Sequence, residues 1–162
     1  MLKTSTVCQS HQHHQCISQA LESAEDVCAQ RGVRLTPLRK RVLELVWQSH
    51  KPLGAYDILE VLSREDGRRA APPTVYRGLD FLLENGLIHR LASLNAYIGC
   101  SHPEVAHEGY FMICKQCNNA YELVQHSQID TAISSEAEQM DFTVETQMVE
   151  ILGICAACRE AA

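Results

Sequence analysis

Four of the eight cysteines fall in two Cys-x-x-Cys pairs, Cys114/Cys117 and Cys155/Cys158. A tight turn carrying two thiolates supplies half of a tetrahedral site, and two such turns complete it. Zn²⁺ has no d-electron geometry preference and suits four thiolates in a closed, structural site. The 37 residues between the pairs exceed the spacer of a compact zinc ribbon. They leave room for a helix and a strand, whose ends the metal would pin together. The competing reading is a redox pair or unpaired core thiols, but no thioredoxin-like context surrounds either pair.

A second set is mixed. Cys100, His102 and His107 lie just ahead of the first pair, with His89 before them and Glu122 after. His89, Cys100, His107 and Glu122 make an N₂SO donor set acceptable to Zn²⁺. Taken singly, each has a plainer role: His89 on a surface strand, Cys100 as a small core residue, Glu122 as a solvated charge. His102 fits either an alternative ligand or a loop histidine. The four residues flank the expected domain boundary. An ion held there would favour one arrangement of the domains over others, which is what a switch requires. Neither set is expected to be catalytic. A Cys₄ zinc keeps no open position, and the chain has no His-Glu-x-x-His and no glycine-rich phosphate loop. No enzyme activity and no small-molecule substrate are expected.

The elements that must position these residues follow from periodicity. Residues 1–16, with His-Gln-His-His-Gln-Cys at 11–16, read as a disordered tail, the other reading being a weak chelator. Ile17, Leu21, Ala24 and Cys28 recur at helical spacing up to Gly32. Thr36 and Pro37 are a cap and a first helical residue, followed by the stripe Leu38, Val42, Leu45, Val46. Ala55, Ile58, Leu59 and Leu62 form a third helical face. A fourth runs from Pro73 through Val75, Leu79, Leu82 and Leu83 to Gly86. "LIHRLASLNAYIGC" then alternates as a strand, a turn and a strand. Helices followed by such a hairpin describe a winged helix-turn-helix over residues 17–92, with a hinge at 93–100. Residues 101–162 read as a small α/β unit: strands in "GYFMIC" and "NAYELVQ", a helix over 127–140 with Ile129, Ile133 and Ala137 inward, and a long strand in "FTVETQMVEILGIC". Alone it would bury little, so it needs a metal, a partner subunit or both. The fold class is α+β.

Charge is divided unevenly. The net charge is −6, yet residues 1–90 carry 12 Lys+Arg against 10 Asp+Glu, and residues 91–162 carry 2 against 10. Within residues 31–77 the count is 10 against 5. The first half therefore holds a basic surface that can meet phosphates, or else simply a solvated helical face. No apolar run approaches a membrane span, and the polar N-terminus has no apolar signal region. A cytoplasmic chain is expected, where cysteines serve metals or redox chemistry.

Several motifs together resemble the ferric uptake regulator family, and within it the zinc uptake regulator branch. They are "AQRGVRLTPLRKRVLELV", "GAYDILEVL", "PPTVYRGLDFLLENGLIHRL", "NAYIGC", "FMICKQCNNAYE" and "GICAAC", spanning about residues 20–158. The resemblance implies a winged-helix DNA-binding domain, an α/β dimerisation domain and a homodimeric, metal-responsive repressor on double-stranded, palindromic operator DNA. It implies two Zn²⁺ per chain: a structural ion on Cys114, Cys117, Cys155 and Cys158, and a regulatory ion on His89, Cys100, His107 and Glu122. In the iron-sensing branch a histidine-rich run with an Asp precedes the Cys-x-x-Cys. Here "SHPEVAHEGYFMIC" lacks it and a cysteine ends the wing; a soft thiolate favours zinc over iron or manganese. Sensing of iron, manganese or peroxide is the rival within the family, and a zinc-dependent or thiol redox enzyme the rival outside it.

Thr74, Tyr76 and Arg77 occupy the outward first turns of the fourth helix, the positions that reach base edges in a major groove. Arg77 suits a guanine edge. Tyr56 matches a family position that contacts DNA. Helix capping is the other role for Thr74, and partial core for the tyrosines. Arg34, Arg39 and Arg41 are phosphate candidates. Adjacent dimers of some zinc regulators join through charges on the third helix; here Glu60 offers one, while Ser63 stands where an arginine is expected and Arg64 lies one step round.

Overall fold

The structure, a computed structural model, describes residues 13–49, 51–65, 67, 71–105, 107, 109–123 and 127–161. The chain divides into two compact units, one holding the described residues up to Val105 and the other those from His107 on.

In the first unit, α1 (His13–Gln30) is followed by α2 (Pro37–Trp47), a two-residue strand β1 (Leu53–Gly54), α3 (Ala55–Glu65), α4 (Pro72–Glu84), β2 (Ile88–Leu91) and β3 (Ala96–Gly99). Thr36 caps α2 as its sequence position implies: its backbone is extended and its hydroxyl accepts from the Arg39 N–H at 3.4 Å. Pro37, next in line, has no N–H to leave unpaired. By contrast α4 starts at Pro72, with Ala71 as a cap that makes no side-chain bond. Thr74 is therefore not the cap but an exposed residue of the first turn. At the other end Gly86, at φ +65°, lets the Gly86 and Leu87 N–H groups reach back to Leu83 and Leu82 O, each at 2.9 Å. This left-handed stop launches β2 at once.

One apolar cluster joins these helices. Val42, Leu45 and Val46 of α2 meet Ile58 and Leu62 of α3, Val75, Leu79 and Leu82 of α4, and Ile88 of β2. Each such buried side chain contributes roughly 1.5–3 kcal/mol. A Cβ added at Gly78 would meet Val42 Cγ2 at 3.8 Å, an ordinary contact, so the α2–α4 seam has room for a methyl there. The sheet order is β1-β3-β2, all antiparallel, with His89 opposite Ile98. Asn95, at φ 47°, closes the hairpin turn.

Trp47 makes an unusually close approach. A Cβ built on Gly99 would lie 2.2 Å from its Cε2, 2.4 Å from its Nε1 and 2.7 Å from its Cζ2. The indole lies directly on the Gly99 backbone. Gly99→Ala should therefore lower stability by about 1–3 kcal/mol through overpacking, read as a shift in the urea midpoint with an unchanged slope.

The second unit contains β4 (Gly109–Cys114), β5 (Ala120–Glu122), α5 (Ser127–Gln139), β6 (Met148–Gly153) and α6 (Ala156–Glu160). The sheet order is β5-β4-β6; β4 is antiparallel to β5 and parallel to β6. Tyr110, Phe111, Ile113, Cys114 and Ala120 are buried, whereas α5 and α6 bury no residue fully. Ile129, Ile133 and Ala137 are half-buried on one face of α5, as the pattern implies.

Some expectations need correction. Helix α1 begins at His13 rather than at Ile17, so residues 13–16 of the expected tail are helical; Ser18 Oγ bonds His14 O at 3.0 Å within that turn. Residues 1–12 of the tail, with His11 and Gln12 of its histidine-rich run, lie outside the described residues, as do residues 124 and 125 of the second expected strand. The long last strand is confined to Met148–Gly153, because β4 offers ladder partners only from Gly109 to Cys114.

Candidate metal centres and nucleic-acid interface

Parallel pairing brings the two Cys-x-x-Cys turns together. Cys114 lies opposite Gly153, so β4 and β6 leave the sheet at the same end. Past it, Lys115 N–H bonds Gly153 O at 2.8 Å. The first turn closes through Asn118, at φ 58°, whose N–H bonds Cys114 O at 2.9 Å. Cys155 is the N-cap of α6, and its N–H donates to Cys114 Sγ at 3.4 Å. Cys158 sits within that helix. All four Sγ atoms lie within 4.8 Å of one another, with Cys117 and Cys155 at 3.8 Å. Zinc with four Zn–S bonds of about 2.3 Å sets its sulfurs about 3.8 Å apart, so the donor set fits the ion.

Electrostatics point the same way. The backbone N–H groups of Cys117 and then Cys155 hold the Cys114 thiol down at about 6. Hydrogen bonding with Cys155, then burial, pushes Cys158 up to about 12. Four thiols this close do not all ionise unaided; a divalent cation supplies the missing charge and releases the protons.

The mixed set is spread over the two units, two residues in each. In the first, His89 of β2 and Cys100, just past β3, hang from one hairpin. Cys100 is 3% exposed, its N–H bonds Leu87 O at 3.1 Å, and the ligand atoms of the two residues lie within 4.8 Å of each other. In the second, His107 Nε2 is 2.8 Å from Glu122 Oε1, and both side chains are largely buried. A buried carboxylate on an imidazole holds that ring's tautomer and orientation. His102 instead lies in an exposed loop, its Nδ1 3.5 Å from Glu104 Oε1.

On the helical face of the first unit, Thr74 and Arg77 are exposed, Tyr56 is 76% exposed and Tyr76 39%. Tyr56 and Tyr76 share a depression of about 450 Å³ that also takes in Asp57, Asp80, Arg90 and Tyr97. Arg90, which sequence reasoning left out, is the wing's cation beside this depression: its guanidinium donates to Asn95 Oδ1 at 3.0 Å. An arginine in an expected wing was the available signal. Two phosphate candidates are engaged within the protein. Arg39 donates to Arg34 O at 2.7 Å and lies 3.6 Å over the Phe81 ring. Arg41 pairs with Glu44 at 2.7 Å and with Glu65. Glu60 and Arg64 pair along α3 at 2.5 Å. Among the described residues no helix is long and apolar enough to cross a membrane.

Fold and residues thus define a winged helix-turn-helix protein with an α/β unit that gathers four thiols. The ferric uptake regulator family matches residues 30–152, and the chain belongs to that family. It is 40% identical over 141 residues to the zinc uptake regulation protein of Escherichia coli (strain K12), covering 86% of this chain and 81% of that protein. It is 28% identical over 147 residues to the peroxide-responsive repressor PerR of Staphylococcus aureus (strain USA300), covering 89% and 95%. Among solved structures, a zinc uptake regulator complexed with zinc and DNA superposes with a TM-score of 0.84 at 38% identity, over 90% of this chain and 96% of that one. Holo XcZur superposes with a TM-score of 0.79 at 39% identity, over 89% and 99%.

Proposed function

We propose that this chain is a zinc-responsive transcriptional repressor, not an enzyme, that acts in the cytoplasm as a homodimer on palindromic operator DNA and represses zinc-uptake genes. The observation that carries this reading is the joint likeness, at 38% identity along nearly the whole chain, to a regulator solved with both zinc and DNA. Cys114, Cys117, Cys155 and Cys158 hold a structural zinc. His89, Cys100, His107 and Glu122 hold the regulatory zinc: neither pair alone completes a tetrahedron, and both together do. The winged-helix domain spans residues 17–92, the hinge 93–100 and the dimerisation domain 101–162. Filling the regulatory site fixes the hinge and sets the two recognition helices of the dimer at operator spacing. Strand β6 supports the dimer. Among the described residues it is ladder-paired on one side only, and Met148, Ile151 and Leu152 are exposed along it; apolar edges of this kind seek partners.

Tyr56, Thr74, Tyr76 and Arg77 contact DNA. Arg77→Ala should cost about 1–3 kcal/mol on the preferred operator and relax preference at one base pair, checked by binding to a panel of single-base operator variants. Equal loss on every variant would make Arg77 a phosphate contact instead. The reading as a whole is tested by operator binding at matched buffered concentrations of zinc, iron and manganese. Binding driven equally well by iron or manganese would overturn the zinc assignment.

A further inference from the structure

Helix α2 packs on two functional elements of the first unit at once. At its C-terminal end the Trp47 indole lies on the backbone of Gly99, where an added Cβ would come within 2.2 Å of Cε2. Gly99 is the residue before Cys100, and it pairs with Ile88, the residue before His89. Along the rest of α2, Val42, Leu45 and Val46 share one buried cluster with Val75 and Leu79 of α4, the residues two before and two after Arg77. Helix α2 is a continuous hydrogen-bonded rod from Pro37 to Trp47. Interiors this close-packed pass on a displacement rather than absorb it.

We infer that Trp47 is a positioning residue: it couples the hairpin bearing His89 and Cys100, through α2, to the recognition helix bearing Arg77. This rests on the regulatory zinc site proposed above. Closing two ligands on an ion restricts the end of the hairpin, and the hairpin backbone at Gly99 bears directly on the indole. The large ring is used where no side chain opposes it, so contact is made ring to backbone, with no rotamer on the hairpin side to yield. Coupling is defined by a ratio, the factor by which zinc tightens DNA binding, and linkage requires DNA to tighten zinc binding by the same factor.

The test uses the full-length dimer loaded with structural zinc. Trp47 is the only tryptophan, so its emission reports directly on the contact. Titrating Zn²⁺ into the wild-type protein without DNA should shift or quench that emission, and His89→Ala should abolish the change. Trp47→Leu should cut the zinc-dependent gain in operator affinity at least about fivefold, with an equal cut in the DNA-dependent gain in zinc affinity. Trp47→Phe, which keeps a ring but loses the edge lying on Gly99, should fall between. A merely structural tryptophan would lower the urea midpoint and leave the ratio unchanged. Silent wild-type emission as zinc binds, or an unchanged ratio in Trp47→Phe, overturns the inference, whether or not Trp47→Leu folds. Wild-type protein that shows no zinc-dependent operator binding would instead overturn the functional reading on which it rests.

Discussion

Cys117→Ser should strip both zinc ions from the chain, since His107 and Glu122 of the second site lie in the same unit, and should release the dimer and abolish operator binding. The second unit has little else to hold it. Its fully buried side chains among the described residues are Tyr110, Phe111, Ile113, Cys114 and Ala120, and neither α5 nor α6 adds one. One of the thiols also bonds the backbone that leads into α6. Cys114 Sγ accepts the N–H of Cys155, which occupies the N-cap position of the five-residue α6 without a side-chain cap bond. Losing one of four thiolates leaves a three-ligand site and a helix anchored by fewer bonds. Structural zinc is worth about 10–16 kcal/mol in zinc-finger peptides, as much as the whole stability of an ordinary domain, which is about 5–15 kcal/mol. The expected loss is therefore cooperative unfolding of the residues from His107 on, while the first unit keeps its helical signal. Metal analysis after desalting, size-exclusion chromatography and amide hydrogen exchange read the three effects. Two zincs retained in a Cys117→Ser dimer would refute the Cys₄ assignment.

What could be read in advance divides by range. Local chemistry was legible: Thr36 and Pro37 open α2, and Gly86 ends α4 with a positive φ. So was the helical face of α5, since Ile129, Ile133 and Ala137 recur at its period. Features depending on distant partners were not. Strand β1 is two residues long, below any pattern, and exists because β3 pairs with it. Helix α6 is too short to show a period. The contacts of Arg39 with Phe81 and of Arg41 with Glu65 span the fold and leave no local pattern. The spacing of the Cys-x-x-Cys pairs marked four thiols. Their approach within 4.8 Å depends on the parallel β4–β6 register, which no stretch of sequence displays.

Cys100→Ala and His89→Ala should each abolish zinc-dependent operator binding while leaving the dimer and its structural zinc intact. Both residues lie on a hairpin that does not need them as ligands to fold. The hairpin has its own ladder from Ile88–Gly99 to Leu91–Ala96, and its turn closes at Asn95. With three donors left, the regulatory ion loses most of its affinity, and operator affinity at a fixed zinc concentration should fall to that of the metal-free protein, a drop on the order of 10²-fold. The thiolate has a further role. Among the proposed ligands Cys100 is the soft one, and two imidazoles with one carboxylate would serve iron or manganese as readily as zinc. Cys100→Asp keeps a fourth anionic ligand but makes it hard. It should preserve metal-dependent DNA binding while moving the preference from zinc toward manganese or iron, seen as a reordering of the activating metals in the same buffered titration. Loss of binding in Cys100→Ala together with an unmoved preference in Cys100→Asp would make Cys100 a packing residue at the end of the wing, not the source of selectivity.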